Sequence, residues 1–142
     1  MKKKHLIRFI FFSVEKGERF NQILGFAKTL FPADEISIHS EVTGFSNAIV
    51  EPGFDQRIIL ILAGSSHDLT RILPFRDLFE NRFVILILPD SEKETVDKAL
   101  TLYPRYIDYV QNDPSGIYLV LKKLVQKIHG LPGSEKKSKD KK

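Results

Sequence analysis

Two runs of branched aliphatic residues constrain the fold of this chain more than any other feature. They cover residues 57–63 and 82–88, and after an initial arginine almost every position in both is Ile, Leu, Val or Phe. A strand that is apolar at every position has both faces buried, which is typical of a central strand in a parallel sheet with helices on each side. The two runs therefore predict an α/β domain with three layers.

Strand and helix patterns alternate along the rest of the chain. Alternation of this kind requires a parallel sheet with right-handed crossovers. Residues 41–56 are compatible with a short helix near 45–50, a loop or an extra strand. We expect one domain over residues 1–130, followed by a disordered basic tail over 131–142. Strand patterns cover 6–14, 36–40, 57–63, 82–88 and 105–110, and helical patterns cover 17–31, 67–80, 91–103 and 113–129.

The formal charge of +4 belongs to the ends of the chain, which carry three lysines at 2–4 and five within 136–142. The body between them is mildly acidic, and a lysine-rich tail without aromatic residues is typical of a solubilising segment. We therefore expect neither a nucleic acid nor a membrane as partner, and no apolar run approaches the roughly 20 residues of a membrane span. The absence of cysteine excludes disulfides and thiolate chemistry. A cytoplasmic location is expected.

The segment 57–128 resembles the receiver domains of response regulators. The likeness rests on the two buried strands, a polar fifth strand, an amphipathic last helix after Pro114, and the helix start at residues 90–94, Asp-Ser-Glu-Lys-Glu. The resemblance implies a flavodoxin-like three-layer sandwich with a five-stranded parallel sheet in the order 2-1-3-4-5. It also implies that the fourth helix, fifth strand and fifth helix form an output and dimerisation surface.

The residues that receivers use for phosphorylation are missing from the matching positions. Glu15 stands alone where receivers carry an acidic pair for Mg²⁺, and Ala63 and Gly64 occupy the place of the phosphorylated Asp. Residues 88–89 and 110–111, Leu-Pro and Val-Gln, replace the family's hydroxyl residue and Lys. We therefore expect no enzyme activity, no metal and no cofactor. The favoured hypothesis is a non-phosphorylatable signalling or adaptor domain that acts through protein contacts.

Two sets of residues are candidates for function. Tyr106, Asp108 and Tyr109 would contact a protein partner or a second copy of the chain, since aromatic residues with polar groups are favoured at interfaces. The alternative function is that of a flavodoxin-like domain that binds a nucleotide or phosphate compound where two helices begin after buried strands. Its candidate residues are Gly64, Ser65, Ser66, Asp90 and Ser91.

Most polar residues at the predicted strand ends also have a structural interpretation. Asp68 or Ser66 is expected to cap the helix after the third strand, and Ser91 with Glu94 forms a capping box. The acidic residues near the strand ends could gather around a cation, but separate helix caps are the favoured interpretation. These acidic residues are Glu15, Asp68, Asp90 and Asp113.

Overall fold

Five parallel strands form one sheet in the order β2-β1-β3-β4-β5 in the computed structural model, which describes residues 6–131. The predicted fold class and strand order are therefore confirmed. The predicted basic tail lies outside the described residues, apart from Leu131. The strands are β1 (Ile7–Ser13), β2 (Ile36–His39), β3 (Gln56–Leu62), β4 (Phe83–Leu88) and β5 (Tyr106–Tyr109).

Helices cover both faces of this sheet. Helices α1 and α5 pack on one face, and α2, α3 and α4 pack on the other. The segment 41–56, which the sequence left open, contains α2. Helix α3 continues as a 3₁₀ turn at Leu73–Phe79, because Pro74 has no N–H to donate within an α-helix. The helices are α1 (Glu18–Leu30), α2 (Val42–Ile49), α3 (Ser66–Ile72), α4 (Lys93–Leu100) and α5 (Ser115–His129).

The two aliphatic runs form the centre of the molecule, as their composition predicts. Every residue of β4 is buried, and alternate residues of β3 and β4 contribute to the two apolar layers on opposite faces of the sheet. Full burial of one such side chain stabilises the fold by about 1.5–3 kcal/mol. No helix within residues 6–131 is both long enough and apolar enough to cross a membrane.

The predicted end of the fourth helix is wrong. The apolar spacing extends a buried stripe through Leu100 and Tyr103, but α4 ends at Leu100 and both side chains are exposed. Leu102 takes the buried position instead. Tyr103, three residues beyond the end of α4, has a φ of 57°, a left-handed conformation in which a helix could not continue towards Pro104. The helical spacing of apolar residues in the sequence therefore extends beyond the helix itself.

The capping box predicted from Ser91 and Glu94 does not form. The N–H of Glu92 donates instead to Asp90 Oδ1 at 3.0 Å, and Glu94 forms an ion pair with Lys98 at 3.0 Å. The predicted cap of the last helix is close to what is observed. Asp113 Oδ1 accepts the N–H of Ser115 at 2.7 Å, although the helix begins one residue later than predicted.

Candidate functional site

The strand order reverses between β1 and β3, and this reversal creates a crevice at the carboxyl ends of the strands. Ligands of open parallel sheets bind in such crevices. A cavity of about 200 Å³ lies here, formed by the end of β1, the start of α1, the loop after β3 and the residue after β5. We call it the switch-point cavity. Its lining residues are Ser13, Glu15, Gly17, Glu18, Arg19, Phe20, Leu62, Ala63, Gly64 and Val110.

The switch-point cavity combines buried apolar residues with exposed charged ones. Phe20, Leu62 and Ala63 are buried, whereas Glu15 and Glu18 are exposed. The Arg19 guanidinium already donates to the carbonyl oxygen of Asn112 at 2.7 Å and to Gln22 Oε1 at 3.0 Å. The lining side chains therefore offer apolar contact and carboxylates more readily than free hydrogen-bond donors.

Gly64 lies between two carboxylates. Its N–H donates to Asp68 Oδ2 at 2.9 Å, and a Cβ at this position would be 3.4 Å from that oxygen and 3.9 Å from Glu15 Oε1. The amide that a phosphate would use is therefore already satisfied within the chain. The negative charges of Asp68 and Glu15 disfavour an anion beside Gly64. The sequence predicts Asp68 as a cap of α3, but its carboxylate accepts the hydrogen bond from Gly64, in the loop before that helix.

The other residues predicted to bind a phosphate ligand do not line the switch-point cavity. Ser65 is the N-cap residue of α3, and Ser66 Oγ accepts a hydrogen bond from Lys98 Nζ at 2.8 Å, which joins α3 to α4. Asp90 and Ser91 follow β4 and precede α4. Among the described residues, no group of three or more His, Asp or Glu side chains is arranged to hold a metal ion.

One serine and one histidine form a hydrogen bond on the edge strand β2. Ser37 Oγ contacts His39 Nε2, and both residues line a shallow depression together with Arg8, Asn47 and Glu51. Burial, with a smaller contribution from the Arg8 charge, lowers the pKa of His39. No described carboxylate is hydrogen-bonded to the other ring nitrogen to orient it, as a catalytic triad would require.

The residues predicted on β5 differ in what they contact. Tyr106 packs towards the α1 and α5 layer, whereas Tyr109 packs towards the opposite layer. Asp108 is only 7% exposed, and its Oδ1 accepts the N–H of Tyr109 at 2.8 Å and Nδ2 of Asn112 at 2.6 Å. Burial, with a smaller contribution from Asp108, raises the pKa of Tyr106. Asp108 thus holds the turn that leads to α5, and its proposed interface role stays a prediction.

The most exposed apolar side chains near β5 come from the end of α4. Leu100 is 58% exposed and Tyr103 is 45% exposed. Lys98 faces α3, because it binds Ser66. Leu100 lies about 200° further around the helix and therefore faces the open edge of the sheet. Sequence reasoning missed this patch because both residues fit the period of a buried stripe.

Comparison of the chain with protein-family models, with curated proteins and with solved structures found no match.

Proposed function

We propose that this protein is a non-catalytic domain that acts through protein contacts at the α4–β5 surface. This surface consists of Leu100, Tyr103 and the outer edge of β5. The observation that carries the proposal is the exposure of these two large apolar side chains beside a strand that has a neighbour on one side only. An open strand edge and adjacent apolar groups are both favourable for association.

The backbone at Tyr103 supports this proposal. A bulky residue in the left-handed conformation costs about 1–2 kcal/mol, which glycine would avoid. The exposed ring of Tyr103 recovers little of that cost by burial within the domain. Strained residues of this kind are concentrated at functional sites, and tyrosine is favoured at interfaces.

The residues at the strand ends also favour a role without phosphoryl transfer. The position that matches the phosphorylated Asp of receivers is the buried Ala63, followed by Gly64. The position that matches the family's Lys is Val110, which lines the switch-point cavity. Phosphorylation of a carboxylate needs a nucleophile, a metal site and a cation together, and these side chains supply none of them.

Self-association is the first test of this proposal. We expect the sedimentation coefficient of the wild-type protein to rise with concentration, and the Leu100→Ser, Tyr103→Asn variant to stay monomeric. Asn tolerates the left-handed backbone, so the variant should remain folded. Leu119→Ser is the matched control, because Leu119 of α5 is 53% exposed, close to the 58% of Leu100.

If the wild-type protein is monomeric, the next experiment is to capture its partners from the cell lysate. Capture of a stoichiometric protein by the wild type and by Leu119→Ser, but not by the double variant, would support the α4–β5 surface. Equal behaviour of all three proteins in both experiments would contradict the proposal.

The switch-point cavity supports binding of a small ligand as a second candidate function. Its carboxylates and the occupied amide of Gly64 favour an apolar or cationic ligand over the nucleotide or phosphate compound that the sequence suggests. Native mass spectrometry of the purified protein should then detect a bound molecule that Val110→Trp, which fills the cavity from its exposed side, excludes. Stabilisation of the wild type by inorganic phosphate in a thermal-shift assay would contradict the expected selectivity.

A further inference from the structure

The walls of the switch-point cavity are apolar, and this apolar surface continues to its rim. Phe20 and Leu62 are buried, so a ligand inside the cavity would contact hydrocarbon groups. At the rim, Val110 lines the cavity, and Val14 directly follows the lining residue Ser13. Both valines are 38% exposed. Exposed apolar side chains around a concave, largely apolar space are typical of a site that binds a ligand.

The volume of the cavity limits the size of that ligand. Pockets for drug-sized molecules measure about 300–1,000 Å³, whereas the switch-point cavity measures about 200 Å³. An apolar cavity of about 150 Å³ holds one benzene molecule. The space therefore suits a single ring, or an aliphatic group of similar size, with a short chain attached.

Carboxylates lie around this apolar space without cationic partners. Glu15 and Glu18 line the cavity, and Asp68 Oδ2 accepts the N–H of Gly64, another lining residue. The ion pairs within residues 6–131 join other side chains and leave these three carboxylates without a cation at ion-pair distance. An ammonium group would therefore gain charge-assisted hydrogen bonds here without displacing an existing ion pair.

Two basic residues adjoin these carboxylates, and neither closes the cavity to a cation. The Arg19 guanidinium is held by the carbonyl oxygen of Asn112 and by Gln22. Lys16 is exposed, and its Nζ lies 6.0 Å from the centre of the Phe20 ring, at the outer limit of a cation–π contact. The ring of this lining residue is therefore accessible to an ammonium group.

We propose that the switch-point cavity binds a small primary amine with an apolar body. The ammonium group donates to Glu15 and Glu18, and the apolar body packs on Phe20, Leu62 and Val110. This proposal rests on the second candidate function, binding of a small ligand, and names the chemical class of that ligand. A metal ion fits less well, because the described residues contain no group of three or more His, Asp or Glu side chains arranged to hold one.

NMR titration of the isotope-labelled full chain with phenethylamine tests this proposal. We expect saturable shifts of the amide signals of the lining residues Ser13, Gly17 and Gly64. Phenethyl alcohol lacks the charge and ethylamine lacks the ring, so each should bind at least about five-fold more weakly. Phenylacetate, which carries the opposite charge, should not bind.

Single substitutions assign the contacts. Glu15→Gln and Glu18→Gln each remove one exposed carboxylate, so each should weaken phenethylamine binding about two- to five-fold and leave phenethyl alcohol unaffected. Val110→Trp should abolish the binding of both compounds. Lys16→Gln should strengthen amine binding, because it removes a competing cation. Glu80→Gln is the matched control and should change nothing, because this exposed carboxylate precedes β4, at the opposite end of the sheet.

Equal affinities for phenethylamine and phenethyl alcohol would overturn the proposal, as would binding of phenylacetate or an equal loss in Glu80→Gln. Unchanged amide signals around the cavity would also overturn it. Native mass spectrometry of the purified protein then tests the second candidate function separately, since a bound molecule that Val110→Trp excludes would belong to another chemical class. Leu100 and Tyr103 stay unchanged throughout, so the proposed protein contacts are unaffected by these results.

Discussion

Asp108 has the clearest structural role of any single polar residue. Its carboxylate is buried and accepts hydrogen bonds from the Tyr109 amide and the Asn112 side chain. Asp108→Ala would leave these donors without their acceptor, so we expect the free energy of unfolding to fall by about 1–3 kcal/mol. Urea denaturation measures this change.

Asp97→Ala is the control for that substitution, because Asp97 is exposed and forms only a surface ion pair with Lys93. We expect it to change stability by less than about 0.5 kcal/mol. Similar losses in the two variants would show that Asp108 does not hold the turn before α5.

His39 should make the fold sensitive to acid. Burial and the Arg8 charge lower its pKa in the folded state below the ordinary value of 6.5. The unfolded chain therefore binds the proton more readily, and stability falls as the pH drops from 6.5 towards the folded-state pKa. Above that window the histidine is neutral in both states and has no such effect.

The variant His39→Gln isolates this contribution. We expect the wild type to lose more stability than the variant between about pH 8 and about pH 5, measured by urea denaturation at each pH. Parallel stability curves for the two proteins would rule out the effect of His39.

At the scale of the element, two interactions can be distinguished at the start of α4. The sequence favours a capping box of Ser91 with Glu94, but α4 has no side-chain cap, and Asp90 instead accepts the N–H of Glu92, the residue just before the helix. We expect Asp90→Ala to reduce the free energy of unfolding by about 0.5–1.5 kcal/mol, the usual contribution of one hydrogen bond. Ser91→Ala should have almost no effect. If thermal denaturation shows a larger loss of stability for Ser91→Ala than for Asp90→Ala, that result would support the capping box instead.

The elements that sequence predicted best are those in which one force dominates. Strand β4 and residues 58–62 of β3 are apolar throughout, and burial on both faces leaves few other conformations open to them. The end of α4 was missed because Tyr103 turns the backbone at a residue whose type rarely adopts that conformation. The cavity could not be predicted in detail because its lining comes from three segments that are far apart in the sequence, 13–20, 62–64 and 110. Gly64 was identified from its position after β3, but its carboxylate neighbours depend on the tertiary fold.

For the whole molecule, protection against hydrogen exchange should fall from the centre of the sheet to its edges. Strands β1, β3 and β4 each have two neighbours, whereas β2 and β5 are four-residue edge strands. We expect the slowest amides in the three central strands, since opening them requires global unfolding. If β5 is paired in a self-associated form, its protection should increase with protein concentration. Protection of β5 equal to that of β3 in dilute protein would contradict this gradient.

The strand order also has a consequence for synthesis on the ribosome. Strand β1 emerges before the other strands and lies between β2 and β3, but the apolar layer over one of its faces includes Ile117, Leu121 and Ile128 of α5. In a nascent chain that stops short of α5, Phe31 and Phe20 can still cover Phe9 and Phe11, but the rest of this apolar layer stays open to water and to chaperones. We expect stable folding to begin only after nearly the whole domain has left the exit tunnel, which an arrest-peptide force profile would detect as one late peak. An early peak, before α5 emerges, would mean that the sheet closes without its last helix.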